Sequence, residues 1–143
     1  MIKKYWNKIS GPLLDRIDIH MEVIPVPFSE LSKQKKSESS KSVRARVNQA
    51  RAIQENRFSD SQGLYSNAQM STRQIREICM IDKAGQTLLK NAIEKLGLSA
   101  RAYDRILKVA RTIADLEEEN KILPQHLAEA IQYRNLDRES WGN

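Results

Sequence analysis

The stretch Leu98–Leu116 constrains the fold more than any other part of this chain, because it predicts one long amphipathic helix. Ser99 is a good N-cap residue, and the helical pattern continues from there to about Glu118. The apolar residues follow the spacing of a single buried helical face and fall at positions 103, 106, 107, 110, 113 and 114. The sequence therefore predicts a helix with one buried stripe and a polar opposite side.

The polar side of this helix carries Arg101, Arg105 and Lys108 on one line, since residues three and four apart stack along a helix. Arg101 falls in the first turn, where the helix dipole disfavours a cation unless an anion meets it. Two interpretations stay open. One is an anion sensor aimed at phosphate, and the other is a solvated face that Asp104 partly neutralises by reaching Arg101 and Lys108.

Shorter patterns on both sides of this helix predict further helices, and hence a small all-α bundle. Ser71 and Gln74 have the spacing of a capping box. Asp82 suits an N-cap, and Gly97 suits the position just after a helix. The additional helices are predicted from Ser40 or Ser42 to about Phe58, from Ser71 to about Cys79, from Asp82 to Leu96 and from Pro124 through Ile131.

Some positions in these helices have a predicted environment. Cys79 lies in an apolar-rich segment and is expected to be a buried small hydrophobe, not a nucleophile. His126 lies near the start of the last helix and is expected at the surface. The helix that ends at Leu96 is expected to turn five residues toward the core, namely Ala84, Leu88, Leu89, Ala92 and Leu96.

The N-terminal residues 1–28 have a different pattern. Apolar and polar residues alternate from Ile17 to Val23, which predicts a strand that Pro25 and Pro27 end. A single strand is not stable without partners, and the rest of the sequence predicts no convincing partner strand. This strand is therefore interpreted as part of a sheet whose other strands lie outside the chain, which predicts that the chain is a fragment of a larger protein.

The same patterns divide the chain into four segments. Residues 29–42 are rich in serine and lysine and have few apolar anchors, which is typical of a linker. Whether the N-terminal segment is ordered is left open by the sequence. The predicted division is a core remnant at 1–28, a polar linker at 29–42, a helical domain at 43–137 and a tail at 138–143.

A net charge of +6 and a pI near 9.5 favour an anionic partner, which could be nucleic acid, a nucleotide or an acidic protein surface. Contact with nucleic acid and a merely solvated face both explain the basic excess of the predicted helix at 42–58. A freestanding basic helical module that binds nucleic acid is therefore one interpretation of the chain. The arginines of that helix are Arg44, Arg46, Arg51 and Arg57.

The sequence lacks the motifs of several chemistries. No glycine begins a phosphate-binding loop, and a single cysteine excludes an internal disulfide and a paired-cysteine zinc site. His20 and His126 have no nearby ligand-type partners, so no metal site is predicted. The sequence contains no run of eighteen apolar residues and no signal-peptide core, which predicts a soluble intracellular protein without membrane contact.

Two motifs together resemble a known family. Residues 9–20 read Ile-Ser-Gly-Pro-Leu-Leu-Asp-Arg-Ile-Asp-Ile-His, and residues 126–134 read His-Leu-Ala-Glu-Ala-Ile-Gln-Tyr-Arg. The first resembles the end of the ATPase core in magnesium-chelatase-like AAA+ proteins of the ComM/YifB type. The second, together with Leu98–Leu116, resembles their helical lid, and the pattern from Val43 to Ala68 fits as well. The resemblance covers nearly the whole chain.

The resemblance implies roles for two arginines. Arg16, in Leu-Leu-Asp-Arg, matches the arginine finger, which reaches the γ-phosphate of ATP held by a neighbouring subunit. Arg101 matches the sensor-2 arginine of the lid, which reads the phosphates of ATP. Three more basic residues match the family without an assigned role and are expected on a solvated face, namely Arg105, Lys108 and Arg111.

The resemblance further implies a cytoplasmic ATPase that works as a ring of subunits, a hexamer in this family, and takes part in DNA processing. The implied lid has about four to five helices, with the arginine-finger segment at 1–28 as a remnant of the α/β core. The Walker A and Walker B motifs, which hold ATP and Mg²⁺, do not occur in the sequence. ATP hydrolysis is therefore expected of the parent protein, whereas this chain alone is expected to be inactive and to hold no cofactor. Neighbouring subunits are the expected partners, with DNA as a further partner through the helix at 42–58.

Overall fold

The computed structural model describes residues 13, 16–21, 23–28 and 37–134. Within these residues the fold is all-α, as predicted, with five α-helices and no strand. A short 3-10 turn at Asn67–Gln69 lies between the first two helices. The helices are α1 (Ser40–Arg57), α2 (Thr72–Ile78), α3 (Lys83–Leu96), α4 (Ala100–Leu116) and α5 (Pro124–Gln132).

The helices begin and end where the sequence supplies capping groups. The Ser71 side chain caps α2, and the Gln74 side chain accepts the Ser71 N–H at 2.9 Å in return. Gly97 ends α3 with a φ of 59°, a left-handed conformation that glycine adopts without strain. The Ser99 hydroxyl accepts the Ala102 N–H at 3.2 Å and so begins α4. These caps confirm the predicted helices close to their expected ends.

Helix α4 lies at the centre of the bundle. It packs against α1, α2, α5 and the 3-10 turn, while α3 packs against α5. The predicted apolar stripe of α4 is confirmed except at Tyr103, which is 38% exposed. Alanines on this stripe have no side chain beyond Cβ and let neighbouring helices approach closely. The buried apolar residues of α4 are Ala102, Ile106, Leu107, Ala110, Ile113 and Ala114.

Helix α1 contacts the bundle only with its second half. Every residue from position 40 to 49 is exposed, including the apolar residues Val43 and Val47. Burial begins at Ala50 and continues at Gln54 and Phe58. The first half of α1 therefore projects from the folded body and presents all its faces to solvent.

Two sequence-based expectations about packing are wrong. The described residues 17–21 and 23, within the predicted strand, are not in a strand, because that part of the structure offers no second strand to pair with. On α3, Ala84 is exposed and Gly85 is buried instead. A Cβ at Gly85 would lie 2.8 Å from Leu127 Cδ1, so glycine at this position permits the close approach of α5.

The expectation that His126 lies at the surface is also wrong. Its side chain is fully buried. Burial of this polar ring is tolerated because both ring nitrogens have polar partners. Nδ1 accepts the Leu123 N–H at 3.0 Å, and Nε2 lies 3.0 Å from Glu117 Oε2. This hydrogen bond lowers the pKa of Glu117. His126 therefore ties the start of α5 to the end of α4.

Candidate functional site

The first turn of α4 presents Arg101 to solvent. Ser99 caps the helix, so Arg101 is its second residue and lies at the positive end of the helix dipole. Among the residues that the structure describes, none forms a hydrogen bond or an ion pair with the Arg101 side chain. Asp104, the expected counter-charge, instead accepts a hydrogen bond from Thr72 Oγ1 at 3.1 Å. Arg101 is therefore a cation without a counter-charge in the described part of the chain.

The next two cations of α4 are held by other parts of the chain. Arg105 forms an ion pair with Asp18, in the N-terminal segment. The Lys108 ammonium donates to the Ala68 carbonyl at 2.8 Å, which fixes the 3-10 turn against α4. Although both side chains lie on the same line as Arg101, they differ from it in having protein partners.

Arg111 was expected on a solvated face, but the structure buries it, with only 2% of its surface exposed. Nε donates to Asp115 Oδ1 at 3.1 Å, and Nη1 donates to the Asn120 carbonyl at 2.9 Å. Nη2 donates to the Glu119 carbonyl. Burial lowers the pKa of the Arg111 guanidinium, and the neighbouring Asp115 carboxylate opposes that shift. Arg111 therefore holds the backbone of Glu119 and Asn120, just after α4, against the helix.

Asp115 also binds α1 and the 3-10 turn. Arg57, at the end of α1, donates to Asp115 Oδ2 at 2.7 Å and to Asn67 Oδ1 at 2.9 Å. The Asn67 amide donates to Asp115 Oδ2 at 2.8 Å and to Thr112 Oγ1 at 3.1 Å. The Asn67 N–H donates to Gln54 Oε1 at 3.0 Å. We call this set the buried network, and its members are Gln54, Arg57, Asn67, Arg111, Thr112 and Asp115.

The buried network changes how the basic helix at 42–58 is interpreted. Arg57 is partly buried and its guanidinium is bound to Asp115 and Asn67, so we count it as a structural group and not as part of a nucleic-acid surface. Arg46 is exposed but paired with Glu38 at 3.0 Å. Among the described residues, Arg44 and Arg51 have no such partner. The expected four-arginine surface is therefore smaller than the sequence predicted.

Arg16 belongs to a short described stretch that contacts the bundle. Its backbone N–H donates to the Leu13 carbonyl at 3.0 Å, and its side chain is exposed without a partner in the described part of the structure. Residues 17–20, which we call the docked segment, lie along α4 and against the end of α5. The contacts that hold the docked segment include three polar ones. Arg134 Nη1 donates to the Ile17 carbonyl at 2.6 Å, the His20 N–H donates to the Tyr133 carbonyl at 2.8 Å, and Arg105 pairs with Asp18.

Three further features of the described residues concern metal binding, thiol reactivity and membrane spanning. In the described ranges, no group of three histidine, cysteine or acidic side chains could hold a metal ion. Cys79 is buried, as predicted, and burial raises the pKa of its thiol to about 11, which keeps it protonated at neutral pH. None of the described helices combines the length and apolar character needed to cross a membrane.

Sequence reasoning missed three residues that shape this site. Asp115 and Asn67 are the polar centre of the buried network, and Arg134 contacts the docked segment while being 1% exposed. Asp115 lies four residues after Arg111, which is ion-pair spacing on a helix and the one local signal available. The other contacts join residues far apart in sequence and leave no local signal.

Comparison with known proteins identifies the family. Residues 37–134 match the family model described as magnesium chelatase, subunit ChlI C-terminal, and residues 1–31 match magnesium chelatase, subunit ChlI. The competence protein ComM of Haemophilus influenzae is 42% identical over 138 residues, which is 96% of this chain and 26% of ComM. The uncharacterized protein YifB of Escherichia coli is 42% identical over 136 residues, which is 94% of this chain and 26% of YifB.

YifB of Salmonella typhimurium is 40% identical over 136 residues, again 94% of this chain and 26% of the relative. The chain thus spans about a quarter of the length of the curated relatives it matches. The C-terminal family model covers most of the chain, and it includes α1 to α5 and the whole buried network. The chain therefore belongs to the magnesium chelatase ChlI family and is similar to ComM and YifB.

Proposed function

We propose that this chain forms the helical lid and the arginine-finger segment of a cytoplasmic, ring-forming AAA+ ATPase that takes part in DNA processing. Arg101 acts as the sensor-2 residue toward ATP, and Arg16 acts as the arginine finger toward ATP held by a neighbouring subunit. The family match supports the ATPase, and the similarity to ComM, a competence protein, supports the link to DNA. Since the chain spans 26% of that relative, other parts of the whole protein would supply the rest of the site.

The environment of Arg101 carries this proposal. The other three cations of α4 have partners within the chain, whereas Arg101 has none among the described residues. The helix dipole disfavours a cation in the first turn, so an anion near Arg101 would relieve an unfavourable interaction. A guanidinium offers a planar fork of donors that matches two phosphate oxygens. A phosphate group is therefore the ligand that suits Arg101 best.

The described residues suit one part of an ATP site. When bound, ATP supplies a phosphoanhydride bond whose hydrolysis can drive movement of the ring. Arg101 and Arg16 would neutralise negative charge on its phosphate oxygens, which is the usual contribution of arginine to phosphoryl transfer. Because no metal-binding group of side chains occurs in the described ranges, Mg²⁺ would be held by other parts of the whole protein.

Substitution of Arg101 in the whole protein tests the sensor role. We expect Arg101→Ala to lower the ATP turnover number by about a hundredfold, the usual effect of removing one donor to a developing charge. Arg101→Lys should restore part of the rate, because it keeps the charge and loses the fork. Lys90→Ala, which removes an exposed cation from α3, is the matched control and should leave turnover unchanged. Normal turnover in Arg101→Ala would contradict the sensor role.

Mixed rings test the role of Arg16. We expect Arg16→Ala to lower turnover by about a thousandfold or more, as the loss of an arginine finger does. A site whose neighbour carries the intact Arg16 should remain active, so mixing Arg16→Ala subunits with subunits that keep Arg16 but cannot bind ATP should produce turnover that neither variant shows alone. Absence of turnover at every mixing ratio of these two variants would contradict a role across the subunit interface.

DNA binding by the exposed cations of α1 is a second candidate function. The observation that favours it is the group of exposed cations Lys41, Arg44 and Arg51, for which the described residues supply no counter-charge. A titration of this chain with duplex and single-stranded DNA at several salt concentrations tests it. The double variant Arg44→Ala and Arg51→Ala should reduce the slope of log affinity against log salt by about 2. Absence of binding at low salt would contradict this function.

A further inference from the structure

We infer that α4 couples two nucleotide sites, because it carries Arg101 and also holds the segment that follows Arg16. The inference rests on the proposed function for the roles of these two arginines. The contact between α4 and the docked segment does not depend on that function, since it is present in the structure. In this arrangement Arg105, Asp18 and Arg134 are positioning residues.

The coupling runs through one helical turn and one ion pair. Arg105 follows Arg101 by four residues, so both side chains lie on the same line of α4. Arg105 pairs with Asp18, which is two residues from Arg16 in the sequence. A group that would face this subunit's own ATP is therefore joined, over a short path, to a group that would face a neighbour's ATP.

The end of α5 fixes the backbone on both sides of Asp18. Arg134 is 1% exposed, and its Nη1 donates to the Ile17 carbonyl at 2.6 Å. The His20 N–H donates to the Tyr133 carbonyl at 2.8 Å. Charge-assisted and backbone hydrogen bonds of this kind set the orientation of a chain, not merely its distance from the helix. The direction in which the chain leaves toward Arg16 is thus set by α4 and α5 together.

The apolar contact beneath the docked segment is incomplete. Ile19 is 47% exposed, and a groove of about 310 Å³ lies between it and residues of α4 and α5, including Val109, Ile113 and Tyr133. The Arg105–Asp18 pair is also partly exposed, at 30% and 50% of the two side chains. Polar contacts at the surface can be broken and remade without disturbing the core, which suits a contact that has to change during a reaction cycle.

A first experiment tests the docking in the whole protein without nucleotide, by hydrogen exchange of a peptide that covers residues 17–21. Asp18→Arg replaces attraction to Arg105 by repulsion and should speed exchange of this peptide by about two- to fivefold, the size expected for a partly exposed ion pair. Adding Arg105→Asp restores an ion pair of reversed polarity and should restore slow exchange. Asp60→Arg, with the same charge change in an exposed loop, is the matched control and should have no effect. Rapid exchange of this peptide in the wild type would overturn the docking and the coupling.

A second experiment tests the coupling through the ATP dependence of turnover by the same variants. Asp18→Arg should lower the Hill coefficient toward one, and the added Arg105→Asp should restore it. If Asp18→Arg acted only by disturbing the structure, turnover would fall in the single and in the double variant, and restoring the ion pair would not restore the Hill coefficient. An exchange rate that responds while the Hill coefficient stays constant would overturn the coupling and leave the docking and the proposed function standing. Normal turnover in Arg101→Ala would instead remove the proposed function, and the coupling with it, whatever the exchange experiment shows.

Discussion

Arg101 and Arg111 lie on the same helix, and the two ends of α4 place them in opposite environments. Arg101 is exposed in the first turn, and the described residues supply no partner for it. Arg111 is 2% exposed and donates to Asp115 and to two backbone carbonyls. Burial and the available counter-charges therefore decide whether an arginine on this helix has a structural role or stays available to a ligand. Arg111 stabilises the fold, whereas Arg101 is available to a ligand.

The physical reason lies in the cost of burying charge. At the Arg111 end, desolvation of two guanidiniums is offset by one carboxylate and by hydrogen bonds that use most of their donors. Removing Asp115 would take away the shared counter-charge of both guanidiniums and leave the buried Arg111 without a carboxylate partner. At the Arg101 end, water solvates the side chain, so its removal takes away no internal contact. The first end should therefore respond to substitution through stability, and the second through ligand binding.

The largest expected effect is that of Asp115→Ala. It leaves Arg57 and Arg111 without their shared carboxylate, so we expect the free energy of unfolding to fall by about 3–5 kcal/mol. Urea denaturation followed by circular dichroism measures this difference. Asp104→Ala, on the exposed side of the same helix, is the control and should cost less than about 1 kcal/mol. Similar losses in the two variants would remove the distinction between the two ends of α4.

A smaller effect is expected from Ser99→Ala, which removes the N-cap of α4. The Ala102 N–H would lose its side-chain acceptor, so the free energy of unfolding should fall by about 1 kcal/mol. Ser99→Asp is the matched control and should retain the stability, because a carboxylate also caps and interacts well with the helix dipole. A loss as large as that of Asp115→Ala would show that the Arg101 end is as strongly coupled to the core as the other end.

The smallest effect is expected from Arg101→Glu and has the opposite sign. An acidic residue in the first turn suits the helix dipole, so this chain should gain about 0.3–1 kcal/mol in the free energy of unfolding. The matched control is Lys95→Glu in the last turn of α3, which should lose a similar amount. In the whole protein the same Arg101→Glu change should abolish turnover if Arg101 binds phosphate. Destabilisation by Arg101→Glu would instead indicate that Arg101 supports the fold.

Much of the fold could be predicted from the sequence. Residues such as Ser71, Asp82, Gly97 and Ser99 mark helix ends through contacts three or four residues away, so their signals are local. Less of the candidate site could be predicted from the sequence. From the sequence, Arg57 and Arg111 were predicted to be surface cations. The counter-charge that they share is Asp115, which lies 58 residues from Arg57 and leaves no local signal there. The roles of Arg16 and Arg101 come from the family resemblance and remain predictions.

By itself the sequence determined the all-α class, the helix ends and the family, because periodicity, capping and motifs are all recorded in short stretches of chain. Only the tertiary structure decided which cations are buried and which stay exposed. Counter-charges for Arg57 and Arg105 come from positions 58 and 87 residues away, and no local pattern records such pairings. The packing thus assigned partners to three of the four cations on α4 and left Arg101 without one in the described part of the chain.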